Sequence, residues 1–287
     1  MKQELVRINS MDEIEQPGIL YIPDKTTDKI VIHVHGLNGN FYENRFLDTL
    51  AKSYTDKGYA FLTFNNRGKD FIAELLKGDG FTVIGGSLER FKDCILDIEG
   101  VVSWVKQKGY KEITLEGHSY GCNKVLYYYN KKKEDCINKI VLLAPCDIPS
   151  EGKKFLSEEE YNKAKVESTR LVNEGKENEL IDFSVMANGK IAAGTYYNDF
   201  LPGGENDFIR YTEDINDMNE VLNSIDIPVL VVFGDADECV LTQPIDKVKV
   251  YLKKNNKNCT IKIINGKLLN TFIIKSNKFS VRFQRFE

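Results

Sequence analysis

The sequence predicts an α/β protein, a mostly parallel central sheet with helices on both faces, and three observations carry that expectation. Short β-branched runs alternate with longer segments of helical period through the first half of the chain. One run, Lys29 to His35, is apolar at nearly every position, as a strand buried on both faces would be. After Ala144 about 80 residues pass before the next good strand, far beyond an ordinary connection, so that stretch carries structure of its own.

Taken in order, Gly18 to Pro23 and Lys29 to His35 read as strands, the second central in the sheet. Glu43 to Lys57 reads as a helix stopped by Gly58, and Tyr59 to Phe64 as the next strand, closed by Asn65-Asn66-Arg67-Gly68. Ser87 to Lys108 is the clearest helix, because Leu88, Phe91, Ile95, Ile98, Val102 and Val105 recur at helical spacing before Gly109. Lys111 to Glu116 is a strand, Gly121 to Lys133 a helix and Lys139 to Ala144 a strand ended by Pro145.

The long insertion, residues 150–212, is expected to form a lid, since covering a site is the usual use of such a segment. Ser157 to Glu174 is its main helix, opened by a Ser-Glu-Glu-Glu run that resembles a capping box. Ala192 to Gly204, rich in tyrosine and phenylalanine, reads as an irregular pocket-lining loop. Pro228 to Phe233, Pro244 to Lys254 and Cys259 to Ile264 then read as strand, helix and final strand. The whole chain, 1–287, is expected to be one domain.

Composition narrows the function. A net charge of −4 leaves no basic footprint for nucleic acid. No run approaches the roughly 18 apolar residues of a membrane helix, and the first residues lack a signal-peptide pattern, so the expected compartment is the cytoplasm and the expected partner a small molecule. Oligomeric state is not readable. The six cysteines form no Cys-x-x-Cys pair and read as free thiols. Of the three histidines, His33 and His35 would share one face of a strand, but no acidic or cysteine cluster of metal-binding spacing accompanies them. Neither metal nor cofactor is implied.

The motif that carries chemistry is Gly117-His118-Ser119-Tyr120-Gly121, a Gly-x-Ser-x-Gly placed between a predicted strand and a predicted helix. Such a turn exposes a serine hydroxyl under backbone strain, and the flanking glycines let helix and strand approach without Cβ clashes. Ser119 is therefore the candidate nucleophile. His35-Gly36-Leu37-Asn38-Gly39-Asn40 follows the central strand, and Val231-Val232-Phe233-Gly234-Asp235-Ala236-Asp237 ends a later one.

Together these segments resemble an α/β-hydrolase of the carboxylesterase or thioesterase kind, over most of the chain. The resemblance implies that the backbone N–H groups of Leu37 and Tyr120 form an oxyanion hole, where each donor is worth about 3 to 4 kcal/mol. It implies Asp237 as the triad acid, three residues past Gly234, with Asp235 as the alternative. His33 and His35 would then be structural, bracing the adjacent loops.

The same resemblance places the base in a Gly-x-x-His turn after the last strand. Here that turn reads Gly266-Lys267-Leu268-Leu269, and no histidine follows His118. Removing the base from a serine hydrolase lowers kcat by about 10⁶, close to 8 kcal/mol. Lys267 is a conceivable substitute, but a turn lysine is ordinarily solvated and protonated. The segment 267–287 is atypical as well, because Phe279, Val281 and Phe283 alternate where this fold closes with an amphipathic helix. A shifted reading frame or real divergence would leave such a terminus.

Two functions follow: a serine hydrolase that forms an acyl-enzyme on Ser119 and is impaired by the missing histidine, or a silent hydrolase fold that binds a small ligand under its lid. Esterase, thioesterase, peptidase and acyltransferase chemistry share this constellation. Arg67 and Lys69 are candidates to meet an anionic substituent, or solvated loop charges.

Overall fold

The computed structural model describes residues 1–186, 188–211, 220–234 and 244–264. Among these residues twelve strands run in chain order: β1 (Lys2–Asn9), β2 (Glu15–Ile22), β3 (Lys29–Val34), β4 (Ala60–Phe64), β5 (Ala73–Lys77), β6 (Gly80–Ile84), β7 (Glu112–His118), β8 (Ile137–Leu143), β9 (Leu180–Asp182), β10 (Lys190–Ala192), β11 (Val229–Gly234) and β12 (Cys259–Ile264). The helices are α1 (Phe46–Thr55), α2 (Cys94–Gln107), α3 (Tyr120–Lys132), α4 (Ile148–Lys154), α5 (Glu158–Asn173), α6 (Ala193–Phe200), α7 (Glu220–Asn223) and α8 (Ile245–Asn255).

Eight strands form the central sheet in the order β1-β2-β4-β3-β7-β8-β11-β12. All neighbours from β4 to β12 are parallel, and only β2 runs against its partners β1 and β4. This is the mostly parallel sheet with helices on both faces expected of an α/β-hydrolase. In β3, Ile30, Ile32 and Val34 join the core under α2, α3 and α8, while Val31 joins the core under α1. That two-sided burial is why β3 reads as a continuous apolar run rather than an alternating one. In α2, Ile98, Val101, Val102 and Val105 are buried at steps of three and four, each contributing about 1.5 to 3 kcal/mol of burial.

Several details depart from the sequence reading. Strand β1 forms an edge beyond β2 with only Val6 and Ile8 of its apolar residues buried, too short an alternation to stand out. Residues 73–84 form the β5–β6 hairpin around Gly78 and Asp79, an unrecognised turn signal. Helix α2 begins at Cys94 rather than near Ser87, preceded by a 3₁₀ turn at Phe91–Asp93.

The insertion between β8 and β11 contains α4, α5, the β9–β10 pair and α6. The capping box is present: the Ser157 hydroxyl accepts from the Glu160 N–H at 3.2 Å, and the Glu160 carboxylate accepts from the Ser157 N–H at 2.8 Å. Ala193–Phe200 is a helix rather than the irregular loop expected. Tertiary burial of Tyr196 and Phe200 against Phe183 overrides its weak helical composition. Among the described residues no helix is long and apolar enough to cross a membrane.

Candidate active site

Ser119 is the single residue between the end of β7 and the start of α3, with φ 52° and ψ −126°. A non-glycine residue at positive φ carries real strain, and here the surroundings hold it. The Ser119 N–H donates to Leu143 O at 2.8 Å, and Ser119 O accepts from the Cys122 N–H at 2.9 Å. The flanking glycines are sterically required. An ideal Cβ on Gly121 would stand 2.2 Å from Val34 O, and one on Gly117 2.5 Å from Gly121 O. The chain therefore turns from strand to helix against β3, leaving the Ser119 side chain half-buried.

The turn after β3 lies against this serine, since a Cβ on Gly36 would be 3.1 Å from Ser119 Cβ and 3.5 Å from its Oγ. Leu37 is next in that turn, and Tyr120 opens α3, where the first N–H groups have no acceptor within the helix. The structure thus brings Ser119, Leu37 and Tyr120 together. Asp237 and Asp235, Lys267 and Leu269, and the whole segment 267–287 lie outside the described residues, as does Cys239.

His35 holds the Gly36 turn in place. Its Nε2 accepts from the Asn66 N–H at 3.2 Å, which assigns the proton to Nδ1, and Nδ1 donates to Gly36 O at 2.8 Å. Burial, aided by the charge of Lys124, depresses its pKa from 6.5 to about 3. His33 has different partners: its Nδ1 is 2.7 Å from a Glu116 oxygen, and the Tyr54 hydroxyl donates to the other oxygen of the same carboxylate. His118 packs its ring 5.0 Å from Phe46.

Two buried cations, Lys124 and Arg67, are paired with carboxylates near the serine-bearing helix. Lys124 on α3 donates to Glu89 at 2.7 Å and to Asn66 Oδ1 at 3.3 Å. Burial pushes the Glu89 carboxyl up, against the opposing pull of Lys124. Arg67 is the second cation. Its side chain is only 3% exposed and bonds Asp97 at 2.9 Å and Asp12 at 2.7 Å. Both roles expected of Arg67, a solvated charge or a contact for an anionic substituent, are therefore corrected: its donors are committed to carboxylates within the fold. Lys69 pairs with Asp70 at 2.8 Å.

Sequence reasoning did not anticipate Cys146, whose sulfur lies 3.3 Å from Ser119 Oγ. It reaches there because the chain turns sharply after β8, through Ala144 at φ 49°. The five described cysteines are free thiols. An apolar cluster runs from the serine's neighbours Tyr120 and Cys146 to Ile148, Tyr196 and Phe200 of the insertion, with Leu37 and Phe71 packed against it. A hydroxyl in a strained turn, backbone donors beside it and an apolar surround suit acyl transfer better than phosphoryl or hydride transfer.

The chain is 26% identical over 273 residues to a putative non-heme chloroperoxidase of Synechocystis, covering 86% of this chain and 87% of that one. Est1E from Butyrivibrio proteoclasticus, solved with ferulic acid bound, superposes with a TM-score of 0.64 at 20% identity, over 92% of this chain and 91% of its own. The Pyrococcus furiosus esterase Pf2001 gives 0.59 at 18% identity, over 95% and 85%. These two likenesses establish a shared fold. The family model described as serine aminopeptidase, S33 matches residues 25–268, and the chain accordingly belongs to that family, within the α/β-hydrolases.

Proposed function

We propose that this protein is a carboxylic ester or thioester hydrolase in which Ser119 attacks the acyl carbon. The backbone N–H groups of Leu37 and Tyr120 stabilise the oxyanion, and Asp237 serves as the triad acid. The observation that carries the reading is the conformation of Ser119, at φ 52° between β7 and α3 with Gly36 against it. In the reaction, the Ser119 oxygen adds to the carbonyl as its proton passes to solvent water, no histidine standing at position 269 to take it, and a proton from solvent is returned to the leaving oxygen or sulfur. The alcohol or thiol departs, and water then releases the acid.

The insertion acts in this reading as a lid, supported by the apolar cluster that joins it to Tyr120 and Cys146. The aromatic surround, with Phe71 and Tyr197 partly buried beside it, favours an apolar or aromatic acyl group. Est1E, with ferulic acid bound, shares the fold.

Turnover is expected to be slow, because Leu269 stands where the base belongs. The same observation favours a second reading, a silent hydrolase fold that binds a small ligand under the insertion. Hydrolysis of a short p-nitrophenyl ester by the full chain, its Ser119→Ala variant and its Leu269→His variant separates the two. The hydrolase reading expects weak turnover that Ser119→Ala abolishes and Leu269→His raises at least about 100-fold, a fraction of the ~10⁶ a base supplies. Turnover absent from both the parent chain and Leu269→His overturns it.

A further inference from the structure

We infer that Asp199, on α6 of the insertion, is a positioning residue for Tyr120, so that the insertion and the oxyanion-forming turn behave as one unit. The inference rests on the reading of Ser119 and Tyr120 given above. Tyr120 follows the candidate nucleophile directly and is fully buried. Its hydroxyl donates to Asp199 Oδ2 at 2.8 Å, across 79 residues of sequence. Its ring is fixed on two further sides, by the Lys124 ammonium 4.9 Å from the ring centre and by the Phe91 ring, centred 5.8 Å away and tilted 66° to it. These contacts hold the Tyr120 side chain at the first residue of α3.

The chemistry of the pair fits a fixed, neutral bond. Asp199 is 1% exposed, and its Oδ1 has no partner among the described residues. Burial, reinforced by the nearby Glu89, pushes its carboxyl well up, so the acid is driven toward its neutral form. A neutral carboxyl accepting from a phenol avoids burying a lone charge. Two further bonds link the surroundings of α6 to α3 through intermediate residues: Asn123 of α3 donates to Asn206 Oδ1 at 2.8 Å, with the Asn206 N–H bonded back to Asn198 O of α6 at 3.1 Å, and the Thr195 hydroxyl of α6 donates at 2.8 Å to the backbone carbonyl of Glu89, whose carboxylate pairs with Lys124 of α3. An oxyanion donor is effective only when aimed at the developing charge, and a misplacement of ~1 Å costs about 100-fold.

The test compares Asp199→Ala, Asp199→Asn and Tyr120→Phe in the full chain. Asn retains an acceptor and the shape of a neutral carboxyl. Steady-state ester kinetics are paired with the ¹⁵N amide resonance of residue 120 and with thermal unfolding. Asp199→Ala is expected to lower kcat about tenfold with KM held within about twofold, and to shift the Tyr120 amide. Asp199→Asn should recover most of both, and Tyr120→Phe should match Asp199→Ala, with no further loss in the double variant. The inference is overturned if Asn is as damaging as Ala, or if Asp199→Ala lowers Tm while kcat and the amide resonance stay at the parent values. If Asp199→Ala does not fold, Asp199→Asn and Tyr120→Phe decide by whether the second, alone, lowers kcat. A parent chain with no ester turnover counts against the reading of Ser119, while the Tyr120 amide in the Asp199 variants still decides the positioning.

Discussion

The Ser119 hydroxyl and the Cys146 thiol stand 3.3 Å apart, although 27 residues separate them in sequence. Cys146 Sγ also lies 3.3 Å from Ala144 O, and a thiol that donates to that carbonyl leaves its sulfur to accept from Ser119. The serine proton then points at sulfur in the resting state and must turn away for reaction. Cys146→Ala should therefore speed fluorophosphonate labelling of Ser119 by about threefold, within the 0.5 to 1.5 kcal/mol of a single hydrogen bond. A tenfold slowing would show instead that the thiol assists the serine.

Arg67 and Asp97 lock the turn after β4 to the start of α2, with the Asp97 carboxylate accepting from both the Arg67 backbone N–H and Nε at 3.0 Å. Removing one partner strands a buried charge. Asp97→Ala should cost about 3 to 5 kcal/mol in urea denaturation. A loss under about 1 kcal/mol would mean that Asp12, at 2.7 Å, and Asp93, whose carboxylate lies 3.5 Å from Arg67 Nη1, suffice to hold the guanidinium.

His35 makes stability fall in acid. Its pKa is near 3 in the folded chain against an ordinary 6.5. Between those values the unfolded chain binds one more proton, so stability rises with pH. The contribution is complete above 6.5 and lost as pH drops toward 3, at about 1.4 kcal/mol per pH unit. Urea midpoints measured across the acidic limb should show this slope, and His35→Asn, which keeps a donor for Gly36 O, should remove one proton's share. An unchanged slope in that variant would place the acid sensitivity elsewhere.

Stability and reactivity should separate at the insertion's far end. Ser157→Ala removes the cap of α5 and should cost about 1 kcal/mol in thermal or urea unfolding. The rate of Ser119 labelling should stay at the parent value. A parallel loss of labelling would show that α5 is coupled to the serine.

The sheet and the serine turn were legible because their signals are local. Burial on both faces makes β3 apolar throughout, α2 repeats every three to four residues, and Gly117 and Gly121 mark a turn that no larger residue fits. What the sequence left hidden are contacts set by tertiary packing. Nothing near Arg67 announces that Asp97 will cover it, because that meeting depends on where α2 starts. Cys146 reads as one more free thiol until the turn at Ala144 carries it to Ser119. In α6, the run Ala-Gly-Thr-Tyr-Tyr-Asn-Asp-Phe has neither a cap nor a strong propensity, so only its burial makes it a helix. Asp237 and Leu269 rest on sequence alone, since both lie outside the described residues.

Covalent capture bears most directly on Ser119 as nucleophile. The full-length chain would be incubated with a fluorophosphonate and the adduct located by peptide mass spectrometry, with Ser119→Ala as control. A single adduct is expected on Ser119 of the parent chain, slow to form and accelerated in Leu269→His. An adduct on another residue, or none on Ser119 in either the parent or Leu269→His, would contradict Ser119 as the nucleophile.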